Sequence, residues 1–143
     1  MSAEATTLFD EINPPVLGEP RGFNHGLVVQ PGFSLLFVAG QTATAVDGEI
    51  HDLSFVSQFT AALDKTLAVV RAAGAAPEHI VRMTVYVTDM AAYRESRPCL
   101  SAVWRERMGR HYPAMALVAV TELVDREATV EIEATAAFPA SAP

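Results

Sequence analysis

Val130-Glu-Ile-Glu-Ala-Thr-Ala-Ala-Phe138 alternates with a period of two. Val130, Ile132, Ala134 and Ala136 share one face, while Glu131, Glu133 and Thr135 share the other. The stretch therefore predicts a strand with an apolar face for a core and a polar face turned away from it. Ile80 to Val87 repeats the pattern, with Val81, Met83, Val85 and Val87 alternating with Arg82, Thr84 and Tyr86. Ala116 to Val120 and Leu35-Leu-Phe-Val-Ala-Gly40 are apolar without alternation, as strands buried on both faces are. Gly26-Leu-Val-Val29 is a further short apolar run, and Pro31-Gly32 after it signals a turn. These two runs predict a hairpin of buried strands. Val46-Asp-Gly-Glu49 is another turn candidate.

Between the strands lie two helical patterns. Phe55, Phe59, Ala62, Leu63, Thr66, Leu67 and Val70 recur at spacings of three and four, with Ser54 as N-cap and Gly74 at the stop. Tyr93, Leu100, Val103 and Trp104 lie on one face of a second helix, capped by Asp89 and ended by Gly109. Pro98 conflicts with that helix: either it kinks the helix, or the helix starts near Arg97 with Pro98 in its first turn.

The order β-β-α-β-α-β-β predicts an α+β fold, one sheet covered on one face by two helices. The second face of the doubly apolar strands also needs cover, and nothing left in the chain is long enough to supply it. The economical cover is another copy of the chain, so a homo-oligomer is expected.

With 143 residues the chain fits one domain. Residues 1–22, punctuated by Pro14, Pro15, Gly18, Pro20 and Gly22, read as an N-terminal arm without regular structure. The domain spans 23–138, and 139–143 form a loose tail. Lys plus Arg is 10 and Asp plus Glu is 17, giving a net charge of −7. Such a chain repels phosphate backbones, so nucleic acid is not an expected partner. No apolar stretch is long enough to span a membrane, and Met1 to Ile12 lacks the basic start of a signal peptide. A soluble, cytoplasmic protein with no membrane partner is expected.

His25, His51, His79 and His111 show no ligand spacing and Cys99 is alone, so no metal site is expected. Cys99 reads as a small buried apolar residue, and Met115 as gap-filling core. Glu131 and Glu133 are the most informative charges. Where their face meets another subunit, a carboxylate there suits a general acid or base that activates water. The bland alternatives are two solvated strand residues, or a pair with a neighbouring subunit's arginine. Arg97, a lone cation among apolar helix positions, is either a carboxylate ligand or a surface arginine. His25 is either a proton carrier or a hydrogen-bonded turn histidine. Gly40-Gln41 ends an apolar strand, where glycine permits close approach and glutamine supplies amide hydrogen bonds; a plain strand-end turn is the alternative.

Four segments resemble the Rid family, also called YjgF, whose older label is endoribonuclease L-PSP. Phe23-Asn-His-Gly26 resembles the family's N-terminal element and Leu36-Phe-Val-Ala-Gly-Gln41 its strand ending in Ser-Gly-Gln. Ile80-Val-Arg-Met-Thr-Val-Tyr-Val-Thr-Asp89 resembles its central strand, and Pro113-Ala-Met115 with Val130-Glu-Ile-Glu-Ala134 its C-terminal signature. The resemblance implies a chorismate-mutase-like fold and a homotrimer with three pockets between subunits. It also implies hydrolysis of enamines or imines to ketones and ammonia, with no cofactor. By that resemblance Glu131 helps to activate water, while Gly40, Gln41 and backbone amides near Leu117 orient the reacting group. Arg97 and His25 would bind polar parts of the substrate.

The chain departs from the family pattern at two positions. Met115 stands where the family has a carboxylate-binding arginine, and a thioether offers a carboxylate no ion pair. Losing such a pair costs on the order of 2–5 kcal/mol of binding. Phe23 stands where a tyrosine is common, so a hydroxyl is lost. Arg97 falls near a position where a relative has asparagine, which makes it a candidate replacement for the missing charge. The expected activity is thus deamination of a substrate other than the standard small 2-imino acid. The alternatives are a non-catalytic small-molecule-binding trimer and, last, a ribonuclease.

Overall fold

A computed structural model describes residues 8–140. The strands are β1 (Asp10–Ile12), β2 (Gly26–Val28), β3 (Phe33–Gln41), β4 (Ile80–Val87), β5 (Ala114–Ala119) and β6 (Val130–Pro139). The helices are α1 (Phe55–Ala72) and α2 (Met90–Met108). The main sheet has the order β3-β6-β4-β5, with β4 and β5 parallel and the other pairs antiparallel. This is the α+β arrangement expected, and β6 buries one face as its alternation predicts: Val130, Ile132 and Ala136 are fully buried under the helices.

Both helix caps form as the sequence predicts. Ser54 accepts a hydrogen bond from the Ser57 N–H, and Asp89 accepts one from the Ala92 N–H. Gly109 ends α2 at φ 62°, a left-handed conformation that favours glycine. The Pro98 conflict resolves in favour of one continuous helix. The Asp89 cap fixes its start, and buried Leu100, Trp104 and Met108 dock it beyond the proline. The Arg94 carbonyl that proline leaves without a helical donor belongs to an exposed residue.

Three expectations fail. β2 and β3 do not form a hairpin: β2 pairs with β1, and β3 pairs with β6. The Pro31-Gly32 turn is local, but β3 gains more from the long central strand. The segment read as an irregular arm instead contributes β1 and a 3-10 turn at Pro15–Leu17. Phe9 anchors it, buried beside Val81 and Ala137. Residues 1–7 of the arm and 141–143 of the tail lie outside the described residues. Cys99 is exposed, because it falls off the Leu100–Trp104 face of α2.

The sheet face away from the helices carries Leu35, Phe37 and Val118 at 55%, 75% and 41% exposure, alongside Glu131, Glu133 and Thr135. These strands are therefore apolar on both faces; Phe9 covers the end of the second face at Ala137, and the rest of it is uncovered within the chain. No helix among the described residues is long and apolar enough to cross a membrane.

Candidate functional site

The predicted site residues separate onto the two faces of the sheet. On the helix side, a cleft of about 230 Å³ opens between α2 and the edge strand β5. Met115, Leu117 and Val85 line its sheet side, and Arg97, Tyr93, Leu100 and Trp104 line its α2 side. Met115 points this way because it pairs in register with fully buried Met83. It is half-buried at the margin of the core. β5 forms one edge of the sheet, so most of its outer backbone groups, including those near Leu117, are not used in strand pairing. The bridge between Asn24 and Ala114 occupies the beginning of that edge.

The sequence reading missed Arg21, which also lines this cleft. It was assigned to an irregular arm, and no spacing around it marks a site. Three residues on, Asn24 ties the segment to the start of β5: its N–H donates to the Pro113 carbonyl at 3.0 Å and its side chain donates to the Tyr112 carbonyl at 2.7 Å. Tyr112 stacks on Trp104 with ring centroids 5.6 Å apart and planes 6° apart. Phe23 and His25 do not line the cleft. Phe23 meets His25 edge-on at 5.1 Å, and the His25 ring lies 3.3 Å from the Gly18 carbonyl oxygen.

On the open side, Glu131 lies against Gly40. A Cβ built on Gly40 would overlap Glu131 Oε1 and lie 2.8 Å from its Cδ. Only glycine at position 40, the penultimate residue of β3, leaves room for the carboxylate where it stands. β3 and β6 lose register between Val38 and Gln41, beside that contact. The half-buried Gln41 donates to its neighbour Ala39's carbonyl at 3.2 Å. Glu131 has no hydrogen bond or ion pair among the described residues, whereas Glu133 accepts a hydrogen bond from Tyr86 at 2.8 Å. That bond to the carboxylate holds the Tyr86 phenol above its ordinary pKa.

Fully buried Gln58 on α1 is a second residue the sequence reading missed. It donates to the Glu127 carbonyl at 3.1 Å and accepts from the Thr129 N–H at 2.9 Å. It thereby fixes the turn two residues before Glu131. The same loop is held at Asp125, which accepts from the hydroxyls of Thr44 at 2.6 Å and Thr42 at 2.7 Å. Those bonds keep the Asp125 carboxyl below its ordinary pKa. No group of three or more metal-ligating side chains is close enough to hold an ion among the described residues.

A family model described as Endoribonuclease L-PSP matches residues 21–138. The chain belongs to the Rid/YjgF family, the endoribonuclease L-PSP family of older usage. A RutC family protein of Pyrococcus horikoshii is 31% identical over 109 residues, covering 72% of this chain and 79% of that one. Among solved structures, the Rid family protein YyfB of Yersinia pestis is 29% identical with a TM-score of 0.79, covering 92% of this chain and 99% of that one. The structure of E. coli TdcF with bound serine is 29% identical with a TM-score of 0.65, covering 85% and 91%. Membership of the Rid family supports a small-molecule-binding or imine-deaminase role in general.

Proposed function

We propose that this Rid family chain hydrolyses the carbon–nitrogen bond of a small imine or enamine at a site completed between copies of itself. One observation carries the proposal. A half-buried, unpaired carboxylate, Glu131, is cradled by Gly40 on one sheet face, while the cleft of Arg97, Met115 and Leu117 opens on the other. Within one chain the sheet itself separates them, so a second copy has to bring the two halves together. The exposed Leu35, Phe37 and Val118 on the open face support such an assembly, and a homotrimer is the form proposed.

In the proposed step, a water molecule gives a proton to Glu131 as its oxygen bonds to the imine carbon. An enamine first takes a proton on carbon to become the imine. Glu131 passes the water's proton to the nitrogen, giving the carbinolamine. The carboxylate then takes the hydroxyl proton and hands it to the nitrogen, so that the C–N bond breaks as the carbonyl forms and ammonia leaves. The products are a ketone and ammonia, with no change in oxidation state. In this reading, backbone amides of the β5 edge near Leu117 orient the reacting group.

Ammonia release from imines generated in solution tests the reading. Glu131→Gln should keep the fold and lower the rate roughly 100-fold or more. An unchanged rate would overturn the role of Glu131. A non-catalytic binding protein is the second reading, favoured by Met115 and by the structure of E. coli TdcF, which holds serine. Ligand binding with no ammonia release from any imine would select it. The net charge of −7 weighs against an RNA substrate.

A further inference from the structure

We infer that Arg21 and Arg97 together form the anion-binding element of the cleft, and that its ligand is a carboxylate carried on an apolar body. The inference names the substrate class of the proposed site and rests on that reading. Two arginines line one cleft of about 230 Å³, Arg21 from the segment before β2 and Arg97 from α2. Neither has a hydrogen bond or ion pair among the described residues. In a chain with 17 acidic and 10 basic residues, protein carboxylates are plentiful, yet none neutralises this pair. Both arginines are exposed, so each is free to meet an anion entering the cleft. By contrast Arg107, also on α2, is engaged by Asp64 through both Nε and Nη2.

The backbone that follows Arg21 is held in place. Gly22 adopts φ 77°, turning the chain, and the Asn24 bonds to Tyr112 and Pro113 tie the segment to the start of β5. The remaining lining decides the rest of the ligand. Met115, Leu117, Val85, Leu100 and Phe59 are apolar, and Trp104 with Tyr112 supplies a stacked aromatic wall. A compact polar molecule would leave that surface unfilled, whereas an aliphatic or aromatic group beside the carboxylate would cover it. Guanidinium groups on two separate elements thus do what Met115 cannot, and the apolar Met115 becomes part of the body's seat.

Binding tests this without requiring turnover. Titration calorimetry would use 4-methyl-2-oxopentanoate, its methyl ester and pyruvate, on the full chain. The expected order of affinity is the branched acid first, with pyruvate and the ester each weaker by about tenfold or more. Arg21→Gln and Arg97→Gln should each weaken the branched acid roughly tenfold while leaving the ester unchanged, and Arg21→Lys should restore part of the loss. Arg21 is exposed, so thermal unfolding of Arg21→Gln should match the wild type. Equal binding of acid and ester, unchanged affinity in Arg21→Gln, or no wild-type binding at millimolar ligand would each overturn the inference. Glu131→Gln should bind the acid as the wild type does. No ammonia release by the wild type, with arginine-dependent binding retained, would sink the hydrolysis reading alone.

Discussion

Glu131 and Gly40 fit each other so closely that no side chain can stand at position 40 without moving the carboxylate. Gly40 is not in a left-handed conformation, so alanine there is not strained by its backbone. The obstacle is contact with the glutamate, whose Cγ would lie 3.1 Å from the new Cβ and whose Oε1 would overlap it. A carboxylate at the end of a flexible side chain can swing away at little cost. Gly40→Ala is therefore expected to keep its unfolding temperature within a few degrees and lose about tenfold or more in kcat for ammonia release. A fully active Gly40→Ala would detach this contact from the chemistry.

The two glutamates of β6 have different tasks, and Tyr86 reports the difference. Its hydrogen bond to Glu133 favours the protonated phenol, so Tyr86 titrates above its ordinary value of 10.0. The raised folded value gives a stability contribution that is full below 10.0 and lost as pH rises through the folded value. Glu133→Gln should bring the phenol back toward 10.0 in a tyrosinate absorbance titration, with Tyr86→Phe assigning the signal. It should also lower stability at neutral pH, with the gap to wild type closing in strong alkali, and leave most of the turnover. A Glu133→Gln variant as inactive as Glu131→Gln would reverse the assignment of the two carboxylates.

Assembly is checked at Phe37, which is 75% exposed on the open sheet face. A ring left in water on a strand flanked by Leu35 is surface that a second copy would bury. Phe37→Glu places a charge there, on the same sheet face as Glu133. Sedimentation should show a trimer for the wild type and a smaller species for the variant at micromolar concentration, with ammonia release falling in parallel. A wild-type monomer with full activity would remove the intersubunit site.

The sequence was most legible where a period is long and local. The seven α1 residues from Phe55 to Val70 that recur at helical spacing are all buried, and β6 alternates as written. Long-range pairing was less legible. The turn at Pro31-Gly32 says where the chain reverses, but not that β3 prefers β6 to β2. β1 is three residues long and precedes Pro14-Pro15, so no period could announce it; its anchor, Phe9, is buried against residues far along the chain. In the site, the signature around Val130 to Ala134 singled out Glu131, and Gly40 stood out as a glycine ending a strand. Their contact joins residues 91 positions apart in sequence, 131 − 40, and no local pattern encodes it. Arg21 was illegible for the same reason, since the Asn24 bonds that tie its segment to the start of β5 reach across to Tyr112 and Pro113.

Met115 should set the size of the preferred substrate. Its side chain enters the cleft on the helix face with Arg21 and Arg97, and it supplies apolar surface where related chains are expected to carry a guanidinium. Met115→Arg restores a bidentate carboxylate ligand near the sheet, but it fills part of a cleft of about 230 Å³ and adds a third cation. The two effects act on different substrates. A small 2-imino acid gains an anchor and fits the reduced space, so its rate of ammonia release should rise about tenfold. A branched or aromatic imino acid loses its seat, and its rate should fall by a similar factor. Arg97→Ala in the wild-type background should raise KM for carboxylated substrates more than it lowers kcat, as loss of a binding contact does. In the Met115→Arg background it should cost the small substrate less, because the new arginine then carries the carboxylate. Rapid wild-type turnover of the small imino acid, indifferent to Arg97→Ala, would mean that the standard substrate still fits and that its carboxylate is held elsewhere.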